Sequence, residues 1–248
     1  MGRFKITIQY DGSRYYGWQL QKKARTIQGT LEEALAIISG GNQIRIYGAG
    51  RTDTGVHALG QVAHFDLETT LSAATLIEAL NGNLPDDIQV SACESVSDQF
   101  HARHSAVTRT YNYRCRTDEF ILDRSFTWLT GPLNIEMLNL AAEKITGDHD
   151  FSSFSRHSES LNHRRCIVSE SAWKADGDIV NYTIVGNRFL HHMVRYLVGT
   201  MVEISRGRFS LTDFVELIKN PKERVHIFKA PPQGLILKQV EYRENVSI

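Results

Sequence analysis

Val107-Thr108-Arg109-Thr110-Tyr111-Asn112-Tyr113-Arg114-Cys115-Arg116 restarts a strand pattern in mid-chain. From Tyr111 onward the tyrosines and Cys115 fall on one side and Asn112, Arg114 and Arg116 on the other, the period of a half-buried strand. A helix pattern follows over Ile135–Thr146 with Gly147 past its end, then strands over Ile167–Trp173 and Ile179–Val185. The chain before it runs in a loosely similar order. Phe4–Tyr10 alternates and stops at Asp11-Gly12. Thr30-x-x-Glu33 predicts a capping box opening a helix, with Leu31, Ala34, Leu35 and Ile38 on one face and Gly40-Gly41 at its end. Strands over Ile44–Tyr47 and Gln61–Asp66, a helix from about Ser72 to Leu80 and a strand over Ile88–Val96 complete that part. The pattern predicts an α+β fold of two similar halves, residues 1–105 and 106–248. No Pro- or Gly-rich linker separates them, so a shared sheet or a tight interface is expected.

Further on, Phe189 to about Arg206 predicts one long helix. Leu190, Met193, Val194, Leu197 and Met201 form a broad apolar face. Arg188, His191, His192 and Arg195 fall at i, i+3, i+4 and i+7 on the opposite side. Tyr196-Leu197-Val198 makes the helix apolar nearly all round, which suits a mostly buried element. A buried arginine must find an anion, from a carboxylate or a phosphate. Ser210-x-x-Asp213 caps another helix carrying Phe214, Leu217 and Ile218. Pro231-Pro232-Gln233-Gly234 then makes a rigid turn into a strand over Leu235–Tyr242.

The 248 residues include 28 basic and 28 acidic side chains, so bulk charge points to no nucleic-acid partner. The distribution does. Gln99–Thr117 holds Arg103, Arg109, Arg114, Arg116, His101 and His104 without an acid. Arg156–Arg165 sets three arginines and two histidines against Glu159 alone, and Arg188–Arg208 four arginines and two histidines against Glu203. Such strips fit a polyanion laid along one surface, although a solvated basic face has the same composition. Tyr15-Tyr16-Gly17-Trp18, with Lys22, Lys23 and Arg25 behind it, adds aromatics able to stack on bases or to pack over a loop. Cys93, Cys115 and Cys166 are widely spaced and odd in number, which suits buried thiols in a reducing cytoplasm. The chain opens directly into a strand pattern and holds no run of membrane-spanning length, so a soluble, cytoplasmic protein is expected.

Gly48-Ala49-Gly50-Arg51-Thr52-Asp53-Thr54-Gly55-Val56-His57-Ala58 has neither helical nor strand period and reads as a tight loop presenting Arg51 and Asp53. Asp53 alone would serve as a turn former. The G-x-G pair lacks the third glycine and the acidic ribose ligand of a dinucleotide site. Asp53-Thr54-Gly55 is also the D-T-G triplet of aspartic proteases. With no second D-T-G or D-S-G in the chain, a protease would need its other aspartate from another subunit. His57, His64 and Asp66 match no standard zinc spacing, and no metal is expected. Asp53 is a candidate partner for Arg195, since pairing would keep the carboxylate ionised.

Taken together, five motifs resemble the tRNA pseudouridine synthase I (TruA) family. They are Gly50-Arg51-Thr52-Asp53-x-Gly55-Val56-His57-Ala58; Tyr10-Asp11-Gly12-x-x-Tyr15-x-Gly17-Trp18-Gln19; Arg109-Thr110-Tyr111-x-Tyr113; Phe189-Leu190-x-x-Met193-Val194-Arg195; and Ala230-Pro231-Pro232-x-Gly234-Leu235. Gly186-Asn187-Arg188-Phe189 departs from the family, which usually has a glycine next to the phenylalanine. The resemblance implies two α/β halves sharing a mixed, mainly antiparallel sheet, with helices on one side and a basic catalytic cleft between the halves. It implies isomerisation of uridine to pseudouridine in the anticodon stem-loop of tRNA, at positions about 38 to 40, with no cofactor or metal. Asp53, Tyr111 and Arg195 take the catalytic positions. Arg51 would fill the gap left by a flipped nucleotide, Tyr111 would stack on the uracil, and Thr52, His57, Arg109 and Leu235 would contact substrate. A homodimer with tRNA as partner, and no membrane, is implied.

Overall fold

The computed structural model describes residues 2–157 and 163–243. Residues 158–162 of the basic strip Arg156–Arg165, Glu159 included, lie outside the described residues. Ten strands and five α-helices are present among the described residues, with mostly antiparallel strand pairing. The chain forms two compact units, Met1–Val107 with Ile236–Ile248, and Thr108–Leu235. The final strand, Leu235–Tyr242, thus returns to the first unit, where Ile236 and Leu237 pair in parallel with His57 and Ala58.

In the first unit β1 (Gly2–Tyr10) lies between β3 (His57–Leu67) and β4 (Ile88–Val96), antiparallel to both. The alternation of β1 buries Phe4, Ile6, Ile8 and Tyr10, as the pleat requires. Helices α1 (Ile27–Ile38) and α2 (Ala73–Asn83) bury Ile27, Leu31, Leu35, Leu76 and Leu80; each such side chain contributes about 1.5–3 kcal/mol relative to exposure. Helix α1 starts earlier than the Thr30 box predicts. Thr26 is its N-cap, accepting from the Gly29 N–H at 3.2 Å, while the Thr30 hydroxyl donates back to the Thr26 carbonyl at 3.1 Å. The strand expected over Ile44–Tyr47 shrinks to β2 (Tyr47–Gly48), paired with His64 and Ala63.

In the second unit β5 (Ala106–Arg116), which begins just before the boundary, β9 (Ile179–Gly186), β8 (Arg165–Asp176) and β7 (Gly147–Asp150) pair antiparallel in that order. A short strand, β6 (Trp128–Leu129), pairs parallel to β5. Tyr111, Tyr113 and Cys115 of β5 are buried and Asn112, Arg114 and Arg116 partly open, as their alternation predicts. Helix α3 (Ile135–Glu143) packs on β8 and on α4 (Met193–Ser205), which is buried at almost every position; α5 (Leu211–Lys219) is capped by Ser210. The long helix begins four residues later than expected. His192 sits at φ 66° as its N-cap, so Arg188, His191 and His192 precede the helix and share no helical face with Arg195. No described helix is long and apolar enough to cross a membrane.

Candidate active site

The Asp53 loop is held from three directions within the first unit. Its entry is the β2–β3 pairing, extended by the Ala49 N–H donating to the Val62 carbonyl at 2.7 Å. From below, the Tyr10 hydroxyl lies 2.9 Å from the Thr52 hydroxyl, and Gln61 Nε2 donates to the Gly50 carbonyl at 3.1 Å. From the side, the Trp18 N–H donates to the Thr52 carbonyl at 3.0 Å and the Gly55 N–H to the Tyr15 carbonyl at 3.3 Å. Gly17 makes that approach possible: at φ 84°, a Cβ there would stand 2.5 Å from the Thr52 carbonyl oxygen. The Val56 N–H closes the turn on the Asp53 carbonyl at 3.1 Å, with Gly55 at φ 77°.

This clamp buries Thr52, leaves Asp53 half-buried and exposes Arg51. The Asp53 carboxylate thus sits on a fixed backbone, partly open to solvent. Burial pushes the Tyr10 phenol up to about 12, against the opposing hydrogen bonds of Thr52 and Gln61, so its hydroxyl stays protonated. His57 is buried, and its Nδ1 lies 3.1 Å from both the Gly12 N–H and a carboxylate oxygen of Asp11. Its buried ring braces the turn after β1.

The other expected residues lie in the second unit. Tyr111 is 8% exposed and stands edge-on to Phe189, with ring centroids 5.1 Å apart. Arg109 donates to the Asn187 carbonyl at 2.7 Å. Arg195, in the first turn of α4, is 8% exposed; its Nε donates to the Ala230 carbonyl and its own carbonyl accepts from the Ala230 N–H, both at 2.9 Å. Gly199 lets that segment lie against α4, since a Cβ there would come within 2.4 Å of the Phe228 carbonyl oxygen. The Pro-Pro turn is fixed likewise: Tyr113 donates its hydroxyl to the Pro231 carbonyl at 2.7 Å, and Gly234 abuts the Tyr113 ring. Leu235 is buried.

Several strip arginines are already paired. Arg116 meets Asp118 and Asp123, Arg164 meets Glu223, Arg165 meets Asp148 and Arg206 meets Glu203. The thiols are inert at neutral pH, burial pushing Cys93 up to about 11, Cys166 to about 12 and Cys115 further. Asp66 is held by both arms of the Arg3 guanidinium, and His64 Nδ1 accepts from the Ala102 N–H at 3.1 Å.

The family model for tRNA pseudouridine synthase matches residues 6–105 and 141–243. The chain belongs to that family. Its members are isomerases acting on uridine in tRNA. The tRNA pseudouridine synthase A of Exiguobacterium sp. is 38% identical over 245 residues, covering 98% of this chain and 99% of the relative. The enzyme of that name from Latilactobacillus sakei is 38% identical over 97% of this chain and 99% of its own length. That of Geobacillus kaustophilus is 38% identical over 98% and 95%. A solved Cbf5-Nop10-Gar1 complex aligns with 94% of this chain and 57% of its own at a TM-score of 0.39 and 10% identity, so the assignment to the tRNA pseudouridine synthases rests on sequence. Within the family's Asp53 loop, the D-T-G triplet is a turn closed by Val56, and the protease reading falls away. Tyr10 and Gln61 are the site residues that sequence reasoning missed as supports. Their alternation in β1 and β3 showed that they are strand residues, but not that both reach under one loop.

Proposed function

We propose that this chain converts uridine to pseudouridine in the anticodon stem-loop of tRNAs, at positions about 38 to 40, with Asp53 as the catalytic carboxylate. The observation that supports this most is the clamp on Thr52, which fixes the neighbouring Asp53 backbone through Tyr10 and Trp18 while the carboxylate stays half-open. The reaction breaks the N1–C1′ bond, turns the uracil over, forms a C5–C1′ bond and releases the C5 proton to water, while the freed N1 takes up a proton in its place. Its atoms balance without an oxidant or a second substrate. Asp53 either attacks the ribose or deprotonates it as the base leaves. Arg195 pairs with the Asp53 carboxylate, as a guanidinium this buried calls for an anion. Tyr111 stacks on the uracil and assists removal of the C5 proton, a role suited by a ring whose orientation Phe189 fixes. Arg51, exposed at the loop's tip, fills the gap left by the flipped nucleotide. Thr52, His57, Arg109 and Leu235 line the substrate, Thr52 and His57 chiefly by holding the loop. The working enzyme is a cytoplasmic homodimer.

Chemical mapping of pseudouridine in tRNA transcripts tests the specificity. Modification is expected only at positions about 38 to 40 and is lost when those uridines are replaced by cytidine. Modification outside the anticodon arm would overturn the proposed substrate.

A further inference from the structure

Residues 12–26, between β1 and α1, contain Arg14, Lys22, Lys23 and Arg25 and no acid. Two of the segment's three aromatics serve packing. Trp18 is 2% exposed and seats its ring against Gly48, and Tyr15 is 1% exposed under the Arg25 guanidinium, 4.3 Å above its ring. Tyr16 differs, with 60% of its surface exposed.

Its backbone is nonetheless fixed. The Tyr16 N–H donates to the Arg25 carbonyl and the Tyr16 carbonyl accepts from Gln21 Nε2, both at 2.9 Å. Gln21 bridges to Ala24, which puts Lys22 and Lys23 at the tip of a tight turn. Arg25 is paired with Asp87, whereas among the described residues no carboxylate pairs with Arg14, Lys22 or Lys23. The flanks of Tyr16 hold the catalytic loop itself: Tyr15 accepts from Gly55, and Trp18 donates to Thr52. A solvent-facing ring on a fixed backbone is therefore flanked by the two residues that hold the Asp53 loop, with two unpaired ammonium groups on the same segment.

We propose that Tyr16 is a stacking platform for an unpaired base of the RNA substrate, next to the nucleotide that Asp53 acts on, with Lys22 and Lys23 on the flanking phosphates. Aromatic faces take any base, and ammonium groups take the backbone, so this contact adds affinity and register without sequence preference. The inference rests on the reading of Asp53 as catalytic on tRNA.

Binding of an anticodon stem-loop RNA, titrated at several salt concentrations, tests it. Tyr16→Ala should weaken binding about five- to a hundred-fold without changing the salt slope, and Tyr16→Phe should restore it. The double variant Lys22→Ala with Lys23→Ala should make the slope of log K against log salt shallower by about 1 to 2. Wild-type affinity in Tyr16→Ala, or an unchanged slope in the double variant, would overturn the contact. Turnover by Asp53→Asn, measured alongside, separates the two claims. An inactive Asp53→Asn beside a neutral Tyr16→Ala sinks only the stacking contact. An active Asp53→Asn sinks the catalytic reading, and the inference that rests on it.

Discussion

The Tyr10 hydroxyl lies 2.9 Å from the Thr52 hydroxyl, tying the end of β1 to the loop that carries Asp53. Both groups are buried, so neither can trade this bond for one to bulk water. Tyr10→Phe should cost about 1–2 kcal/mol of stability. It should also lower kcat several-fold while leaving KM for tRNA nearly unchanged, because the ring that fills the core remains. Urea unfolding and steady-state kinetics check both; a wild-type kcat would show that the loop is held without this bond.

Gly17 has no room for a side chain. Gly17→Ala combines a left-handed φ with a Cβ 2.5 Å from the Thr52 carbonyl oxygen, so about 1–3 kcal/mol of destabilisation and at least a tenfold fall in kcat are expected. Gly40→Ala is the control, since it shares the positive φ with nothing within 4 Å of its Cβ. Equal losses of activity in the two variants would remove the Thr52 contact from the explanation.

Arg195→Met should abolish turnover almost completely and weaken tRNA binding only modestly. It keeps the apolar stem in the buried first turn of α4 but loses the charge and the Nε donor to Ala230. Arg195→Lys keeps the charge without the planar fork and should recover a small part of the rate. Normal turnover in Arg195→Met would sink the proposed pairing with Asp53.

Burial, helped by His101 and Arg3 and opposed by Asp66, lowers His64 from 6.5 to about 4. Its Nδ1 accepts from the Ala102 N–H, so a proton there would break that bond. Between pH 6.5 and about 4 the unfolded chain binds a proton on His64 that the folded chain refuses. Stability should therefore fall as pH drops through that window, by about 1–3 kcal/mol from this residue, and the loss should be complete below it. His64→Asn keeps an acceptor near the Ala102 N–H but does not titrate. Its urea midpoint should change less than that of the wild type between pH 7 and pH about 4; equal changes would assign the acid sensitivity to other groups.

Strong local periodicity made much of this fold legible. The bounds of β4 and of the final strand match those expected, Ser210 caps the helix it was expected to cap, and the helix expected from about Ser72 begins at Ala73 with Ser72 as its N-cap. The misplaced starts of α1 and α4 have local causes. Thr30-x-x-Glu33 has the letters of a capping box, yet Thr26 takes the cap and Thr30 lies inside the first turns. Apolar Phe189 and Leu190 extend the pattern of α4 backwards, but His192 in the left-handed region breaks the helix from them. Polar Gly147–Asp150 gives no strand signal because β7 is set by its partner β8. Motif resemblance alone names Asp53, Arg51, Tyr111 and Arg195 as candidates. It does not name the clamp, because Tyr10 meets Thr52 across 42 residues and no periodicity encodes that meeting.

Tritium release from tRNA labelled at uridine C5, comparing the wild type with Asp53→Asn, tests the central claim most directly. Release by the wild type and none by Asp53→Asn, with tRNA still bound, is the predicted result. Release by both proteins, or by neither, would contradict the assignment of Asp53 as the carboxylate of a tRNA uridine isomerase.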